Sequence, residues 1–270
     1  MNCMRLKRSY PSPGACIYCG ESTRRLTDEH IIPESLGGRL VFHEASCDSC
    51  RHKIEAFEGR LINGLFGSAR AILGITSSKK AKPRKKLKVA RRVNTTTARK
   101  VYTSRDDHPG NLIMETLKPP RFLTSVPPNP GPRRIGLIVK NLKHDPWKPN
   151  EHIELFAPID TYLDFTRLLA KIAHGYWIAE NPSALLHPVL SDLILGKSDI
   201  GHDYFIGSSE SMRTPFDDLH HVQCSMMEHQ GFTYGYVDIS LFSCYPPFNG
   251  YRVYVGSVGR EMRFILRPAT

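Results

Sequence analysis

The stretch that decides the fold, residues 16–50, reads CIYCGESTRRLTDEHIIPESLGGRLVFHEASCDSC. It opens and closes on a Cys-x-x-Cys pair, and the four thiols belong to Cys16, Cys19, Cys47 and Cys50. Each pair can place two sulfurs on one ion while the chain between them loops back, which is the arrangement of a tetrahedral zinc site. Because four thiolates leave no open coordination position, the predicted zinc is structural.

Disulfide bonds are the alternative use of these cysteines. The chain has seven cysteines, and its first residues lack the apolar core of a signal peptide. In a reducing compartment, paired cysteines are more often metal ligands than disulfides. No apolar run approaches the roughly 18 residues that a membrane helix needs. We therefore expect a cytoplasmic protein that binds zinc and has no membrane segment.

Between and after the cysteine pairs, the residue pattern predicts two strands, a turn and a helix. Residues 27–33 read as a short strand or an extended loop, residues 37–38 as a glycine turn and residues 39–42 as the returning strand. Ser46 or Asp48 is a suitable helix cap. The apolar residues of the predicted helix recur at spacings of three and four. They are Ile54, Phe57, Leu61 and Leu65.

The same stretch resembles the HNH endonuclease family, in the CIYC pair, the segment EHIIPESLGG and the ASCDSC pair. The resemblance covers about residues 14–60. It implies a zinc-stabilised ββα-metal module that hydrolyses phosphodiester bonds. It also implies a second, catalytic divalent ion, Mg²⁺ or Mn²⁺, bound by harder oxygen and nitrogen ligands.

The resemblance assigns roles to individual residues. His30 becomes the general base, because imidazole titrates near neutral pH. Glu29 occupies the position of the metal-binding acid, and Asp28 is the alternative, because successive side chains of a strand face opposite sides. A second ligand on the helix is expected, and His52 is our candidate. His43 is expected to orient the base or to support the hairpin.

Arg51 stands where members of the family carry Asn or His as a metal ligand. The alternative to a metal-binding His52 is therefore an exposed His52 with Arg51 on a DNA phosphate. Glu55 and Glu58 lie one to two helical turns beyond His52 and are also within reach of the predicted site.

The charge balance predicts a polyanionic partner. The formal net charge is +11, which favours nucleic acid first and an anionic membrane surface second. Residues 59–105 contain no acidic side chain. The densest basic part, residues 79–92, would contact phosphates without sequence preference, and a solvated linker is the alternative. The candidates are Lys79, Lys80, Lys82, Arg84, Lys85, Lys86, Lys88, Arg91 and Arg92.

Composition divides the chain into three predicted parts: an HNH-like zinc domain at 1–66, a basic and Pro/Gly-rich linker region at 67–134 and an α+β domain at 135–270. The helix predicted for the last part covers residues 161–180, with Thr161 as its cap. Five strands are predicted there from β-branched and aromatic content. They are residues 135–140, 153–157, 232–243, 251–256 and 262–266.

Together these patterns predict an α+β protein that is a metal-dependent HNH endonuclease acting on double-stranded DNA. Two alternatives are carried forward. One is a zinc-containing module that binds nucleic acid without cutting it. The other is a nuclease controlled by a sensor in the C-terminal half.

Overall fold

The computed structural model of the chain describes residues 3–76, 86–92, 98–108, 110–124, 134–142, 153–154, 161–199, 201–209, 217–245 and 250–259. Within these ranges helices and strands are mixed, and the predicted α+β class is confirmed. No described helix combines the length and the apolar composition needed to cross a bilayer.

The elements follow one another in three groups. The first contains β1 (Lys7–Tyr10), β2 (Leu26–His30), β3 (Arg39–Cys47), α1 (Asp48–Asn63) and α2 (Gly67–Ile72). The second contains β4 (Lys86–Arg92), β5 (Ala98–Ser104), β6 (Asn111–Leu117), β7 (Arg134–Asn141) and β8 (Ile153–Glu154). The third contains α3 (Thr161–Glu180), β9 (Leu186–Pro188), α4 (Ser191–Ile194), β10 (Ile206–Ser209), β11 (His220–His229), β12 (Phe232–Leu241) and β13 (Gly250–Val258).

The predicted hairpin is confirmed. β2 pairs antiparallel with β3, and β1 adds parallel to the other edge of β3. A short 3₁₀ turn, Glu34–Leu36, connects β2 and β3 and ends at Gly37, whose φ of 92° favours glycine. A Cβ on Gly38 would lie 2.0 Å from the carbonyl oxygen of Ile32, so the second glycine is required by close packing.

Helix α1 follows β3 directly, and the predicted apolar face is buried. Ile54, Phe57 and Leu61 point into the core, and Leu65 is buried just beyond the end of the helix. The predicted cap is wrong: Cys47 is the capping residue, and no side-chain hydrogen bond caps the helix. Because the strand runs straight into the helix at Cys47, Asp48 is already inside the first turn.

The C-terminal elements form an antiparallel sheet in the order β10-β13-β12-β11, with β9 paired to β13. Strands β7, β12 and β13 and helix α3 confirm the corresponding predictions. Of residues 153–157 the structure describes only β8, and residues 262–266 lie outside the described part. Thr161 is the first residue of α3. Its hydroxyl donates a hydrogen bond to Oε1 of Glu115 on strand β6 at 2.9 Å.

Part of the predicted basic linker is structured. Strands β4 and β5 form an antiparallel pair, and β8 adds to the other edge of β4. Lys86, Lys88, Arg91 and Arg92 lie on β4. The other basic candidates, Lys79, Lys80, Lys82, Arg84 and Lys85, lie outside the described residues.

One hydrophobic core joins the N-terminal elements to the C-terminal sheet through α3. The Trp177 ring of α3 packs directly on Gly235 of β12. On another side of α3, Asp164 accepts two hydrogen bonds from the guanidinium of Arg60 on α1, at 2.6 and 2.7 Å. The domain boundaries near residues 66 and 134 stay predictions, but the parts that they separate share this core.

A disulfide bond between Cys3 and Cys244 ties the N-terminal segment to the loop after β12 across 241 positions. Closing so long a loop removes conformational entropy from the unfolded chain. We expect Cys3→Ser to lower the free energy of unfolding by about 2–4 kcal/mol in the absence of reductant. Chemical denaturation with and without a reductant measures this. Cys224, a free cysteine, provides the control Cys224→Ser, and an equal loss in both variants would contradict the expectation.

His220 at the start of β11 is buried and neutral. Its Nε2 donates to the carbonyl of Leu36 at 2.9 Å, and its Nδ1 accepts from the N–H of Phe242 at 3.2 Å. Burial, aided by the charge of Arg5 and opposed by the Leu36 hydrogen bond, lowers the pKa of His220 to about 4. The folded protein therefore resists protonation of this ring.

The lowered pKa of His220 predicts a loss of stability in acid. The unfolded chain protonates this ring near pH 6.5, so stability is present above that pH and is lost as the pH falls toward 4. We expect wild type to lose about 3 kcal/mol more than His220→Asn between pH 7 and pH 4. Urea denaturation of both proteins at several pH values measures the difference. Parallel pH profiles would contradict it.

Candidate metal centre and active site

The four predicted zinc ligands come together from two ends of the hairpin. Cys16 and Cys19 lie in the loop before β2, Cys47 ends β3 and Cys50 lies in the first turn of α1. Their sulfur atoms all lie within 4.8 Å of one another, and Cys19 Sγ is 3.7 Å from Cys47 Sγ. Ligands of a tetrahedral zinc with Zn–S bonds near 2.3 Å are about 3.8 Å apart. The four thiols therefore fit a zinc ion.

The backbone around the cluster explains this convergence. The N–H of Ile17 donates to the carbonyl of Ala45 at 2.9 Å, which ties the first cysteine pair to β3. Gly20 closes the turn after Cys19 with a φ of 75°. Cys47 and Cys50 lie at the N-terminus of α1, where the helix dipole favours thiolates over thiols.

A second group of polar side chains lies on the exposed face of the hairpin. Asp28 sits at an irregularity in the pairing of β2 with β3. Its Oδ2 is 3.1 Å from Nδ1 of His43, and its Oδ1 accepts a hydrogen bond from the N–H of Glu44 at 3.1 Å. The hydrogen bond from Glu44 is the main reason why the pKa of Asp28 lies below its ordinary value, with further lowering by His43 and by nearby His30.

On this exposed face Asp28 Oδ2 and His43 Nδ1 lie 3.1 Å apart, so the two side chains are hydrogen-bonded to each other. His30 is half-buried, and its Nδ1 is shielded from solvent without a hydrogen-bond partner in the described part of the chain. A shielded ring nitrogen without a partner is a position where a bound group is expected.

Glu29 faces the opposite side of β2 from Asp28 and His30, as the alternation of a strand requires. It is 6% exposed, and its Oε1 lies 2.6 Å from Nζ of Lys171 on α3. Glu58 of α1 makes a further ion pair with the same ammonium at 3.1 Å. Burial raises the pKa of Glu58, against the attraction of Lys171. The carboxylates of Glu29 and Glu58 thus both form ion pairs with Lys171 of α3.

His52, the predicted metal ligand on α1, lies on the exposed surface of that helix. The His52 side chain is 68% exposed, and its Nδ1 is 3.6 Å from Oε2 of Glu55. Arg51 is held on the surface of α1 by Asp48 at 3.0 Å and by Glu55 at 2.9 Å. The structure therefore does not bring Glu29 and His52 to one ion. Among the described residues, the four cysteines are the one group of three or more Cys, His, Asp or Glu side chains whose ligand atoms lie close enough together to bind a single ion.

Lys171 is the residue that the sequence interpretation missed. It lies in the apolar run LLAKIA of α3, residues 168–173, and is 1% exposed. A lone charge on the apolar face of a helix costs desolvation energy unless a partner is buried with it. The position of Lys171 on the apolar face of the helix therefore predicts a carboxylate that is buried beside it.

Residues 16–65 match the family model described as HNH endonuclease. No curated protein and no solved structure matches the chain. The family implies nuclease activity and a nucleic-acid substrate. The matched segment contains both cysteine pairs, β2, β3 and α1, and therefore all the elements of the ββα unit. Residues 16–65 of this chain therefore resemble an HNH-endonuclease module, and their four cysteines lie close enough together to bind one metal ion.

Proposed function

We propose that the chain is a metal-dependent endonuclease that hydrolyses phosphodiester bonds of double-stranded DNA, with His30 as the general base. The observation that carries the proposal is the grouping of His30, Asp28 and His43 on the exposed face of the hairpin, within the segment that matches the HNH family. The other face of the same hairpin is buried, so substrate approaches from this side.

In the proposed mechanism, neutral His30 removes a proton from a water molecule whose oxygen attacks the phosphorus in line. Asp28 would hold the divalent ion, Mg²⁺ or Mn²⁺, and His43, hydrogen-bonded to Asp28, would orient that carboxylate. When bound, this ion stabilises the negative charge on the phosphate and the leaving oxygen. Asp28, whose carboxylate accepts a hydrogen bond from the N–H of Glu44, lies close to His30 on this face.

The surroundings of the module are part of the proposal. The basic residues of 79–92 would neutralise backbone phosphates and add affinity without sequence preference. Zinc would fill the four-cysteine site, whose thiols are free of disulfide bonds. The Cys3–Cys244 disulfide is unusual for the reducing, cytoplasmic setting that the sequence predicts.

Plasmid cleavage tests the proposed function. Purified protein is incubated with supercoiled DNA in Mg²⁺, in Mn²⁺ or in EDTA. We expect nicked and linear products with either ion and none with EDTA. Products that persist in EDTA would rule out metal dependence, and the absence of products in every buffer would rule out cleavage of this substrate.

A second candidate is a zinc module that binds nucleic acid without cutting it. It is favoured by the ion pair that engages Glu29 and by Arg51, which stands where the family carries a metal ligand. Under this alternative the protein retards DNA in a gel at low salt and leaves it intact with Mg²⁺ or Mn²⁺. The control of a nuclease by the C-terminal half is a third possibility, favoured by the contacts of α3 with the module.

A further inference from the structure

Lys171 makes an unusual set of contacts for a lysine. Its ammonium lies 2.6 Å from Glu29 Oε1, 3.1 Å from Glu58 Oε1 and 3.3 Å from the carbonyl oxygen of Ile31. It also donates a hydrogen bond to the carbonyl oxygen of His30. Four oxygen atoms from β2, from the residue after it and from α1 therefore surround one nitrogen of α3.

The two carbonyl contacts fix the backbone on both sides of the Ile31 nitrogen. Successive carbonyls of an extended strand point in opposite directions, so one ammonium reaches both only if the chain bends after His30. The strand does end at His30, and residues 31–32 form a bend. Lys171 thus holds the point where the backbone of His30 leaves the sheet, which sets the direction of the His30 side chain.

Other contacts from α3 keep this lysine in place. Nε2 of His174, one turn further along the helix, donates to the carbonyl of Ile17 at 2.6 Å. The side chains of Ile31 and Ile17 lie beside Gly175 of the same helix. Burial acts to lower the pKa of Lys171, but the attraction of Glu29 and Glu58 outweighs it, so the pKa is raised and the charged form is favoured.

We infer that Lys171 is a positioning residue of the nuclease: its ammonium, fixed by Glu29 and Glu58, holds the carbonyls of His30 and Ile31 and thereby aims the general base at the substrate. This inference rests on the proposed function. It assigns α3 a role in the proposed nuclease activity, although α3 lies outside residues 16–65, the segment that matches the family. Lys171 is 1% exposed, so it acts without touching DNA.

The test uses the full chain and the double variant Lys171→Met/Glu29→Gln, which removes the ammonium without leaving an unpaired carboxylate at Glu29. We expect kcat for plasmid nicking to fall at least tenfold while KM for DNA stays within twofold. The carbonyl ¹³C resonances of His30 and Ile31 are expected to shift, because both oxygens lose a donor.

The matched control is Arg60→Met, which breaks a different ion pair between α1 and α3. A merely structural role predicts that both variants lose stability and activity to a similar extent. Positioning predicts that Arg60→Met lowers the melting temperature and leaves kcat unchanged. A second arm uses Lys171→Ala with added propylammonium, which corresponds to the deleted Cγ, Cδ, Cε and Nζ atoms and is expected to restore at least part of the lost kcat.

The outcomes separate the two proposals. If wild type does not cut DNA, the proposed function fails, and the positioning role fails with it. If wild type cuts and the double variant has the same kcat, only the positioning role is overturned. It is also overturned if Arg60→Met loses as much kcat as the double variant, or if the carbonyl resonances do not move.

Discussion

Replacing His30 with alanine is expected to lower the rate of metal-dependent DNA cleavage by about 10²–10⁴-fold, the usual contribution of a general base. The loss should appear in kcat, because the ring acts on water and not on binding of the duplex. Single-turnover nicking of plasmid with saturating Mg²⁺ measures the rate, and a gel-shift titration measures the dissociation constant for DNA.

The control for His30→Ala is His187→Ala, in which the altered imidazole lies on β9 of the C-terminal sheet. We expect this variant to cut as wild type does. Both proteins should bind DNA with unchanged affinity, since the fold is retained. Cleavage by His30→Ala at the rate of wild type would overturn the assignment of the base.

Removal of zinc is expected to unfold residues 16–65. The cluster joins the loop before β2, the end of β3 and the start of α1, so its loss releases all three at once. Structural zinc contributes about 10–16 kcal/mol of apparent binding free energy in small zinc domains at neutral pH. That amount is comparable to the whole stability of an ordinary domain.

Two measurements check the zinc prediction. Elemental analysis should find one zinc per chain in wild type and in Cys224→Ser, and none in Cys50→Ser. Hydrogen exchange should then show that β2, β3 and α1 lose protection in Cys50→Ser or after treatment with a strong chelator. Full protection of α1 in a zinc-free protein would show that the core alone holds the module.

Local patterns in the sequence determined much of the molecule. The spacing of the four cysteines predicted their cluster, because each Cys-x-x-Cys pair is a short turn whose geometry hardly depends on the rest of the fold. The double glycine predicted the turn between β2 and β3. Helix α3 was predicted at its observed bounds, because the period of its apolar residues extends over five turns.

The arrangement around His30 could not be predicted in the same way. Sequence alone left Asp28 and Glu29 as alternatives, since both lie beside His30 on one strand. An irregularity in the strand pairing places Asp28 beside His43 on the exposed face, while Glu29 points inward. Likewise, the periodicity of α1 could place His52 on a helix but not decide which groups would face it.

The sequence by itself therefore determined the hairpin, the helix and the four-cysteine cluster, and the tertiary structure decided which polar side chains are exposed and which are buried in ion pairs. Lys171 lies 141 positions after His30, and only the packing of α3 against β2 and α1 brings its ammonium to Glu29, Glu58 and the His30 carbonyl. The physical reason is the sequence separation of the interacting groups. Cys-x-x-Cys turns and helix periods are set by neighbours in the chain, whereas a buried ion pair forms between charges that the packing of distant segments brings together.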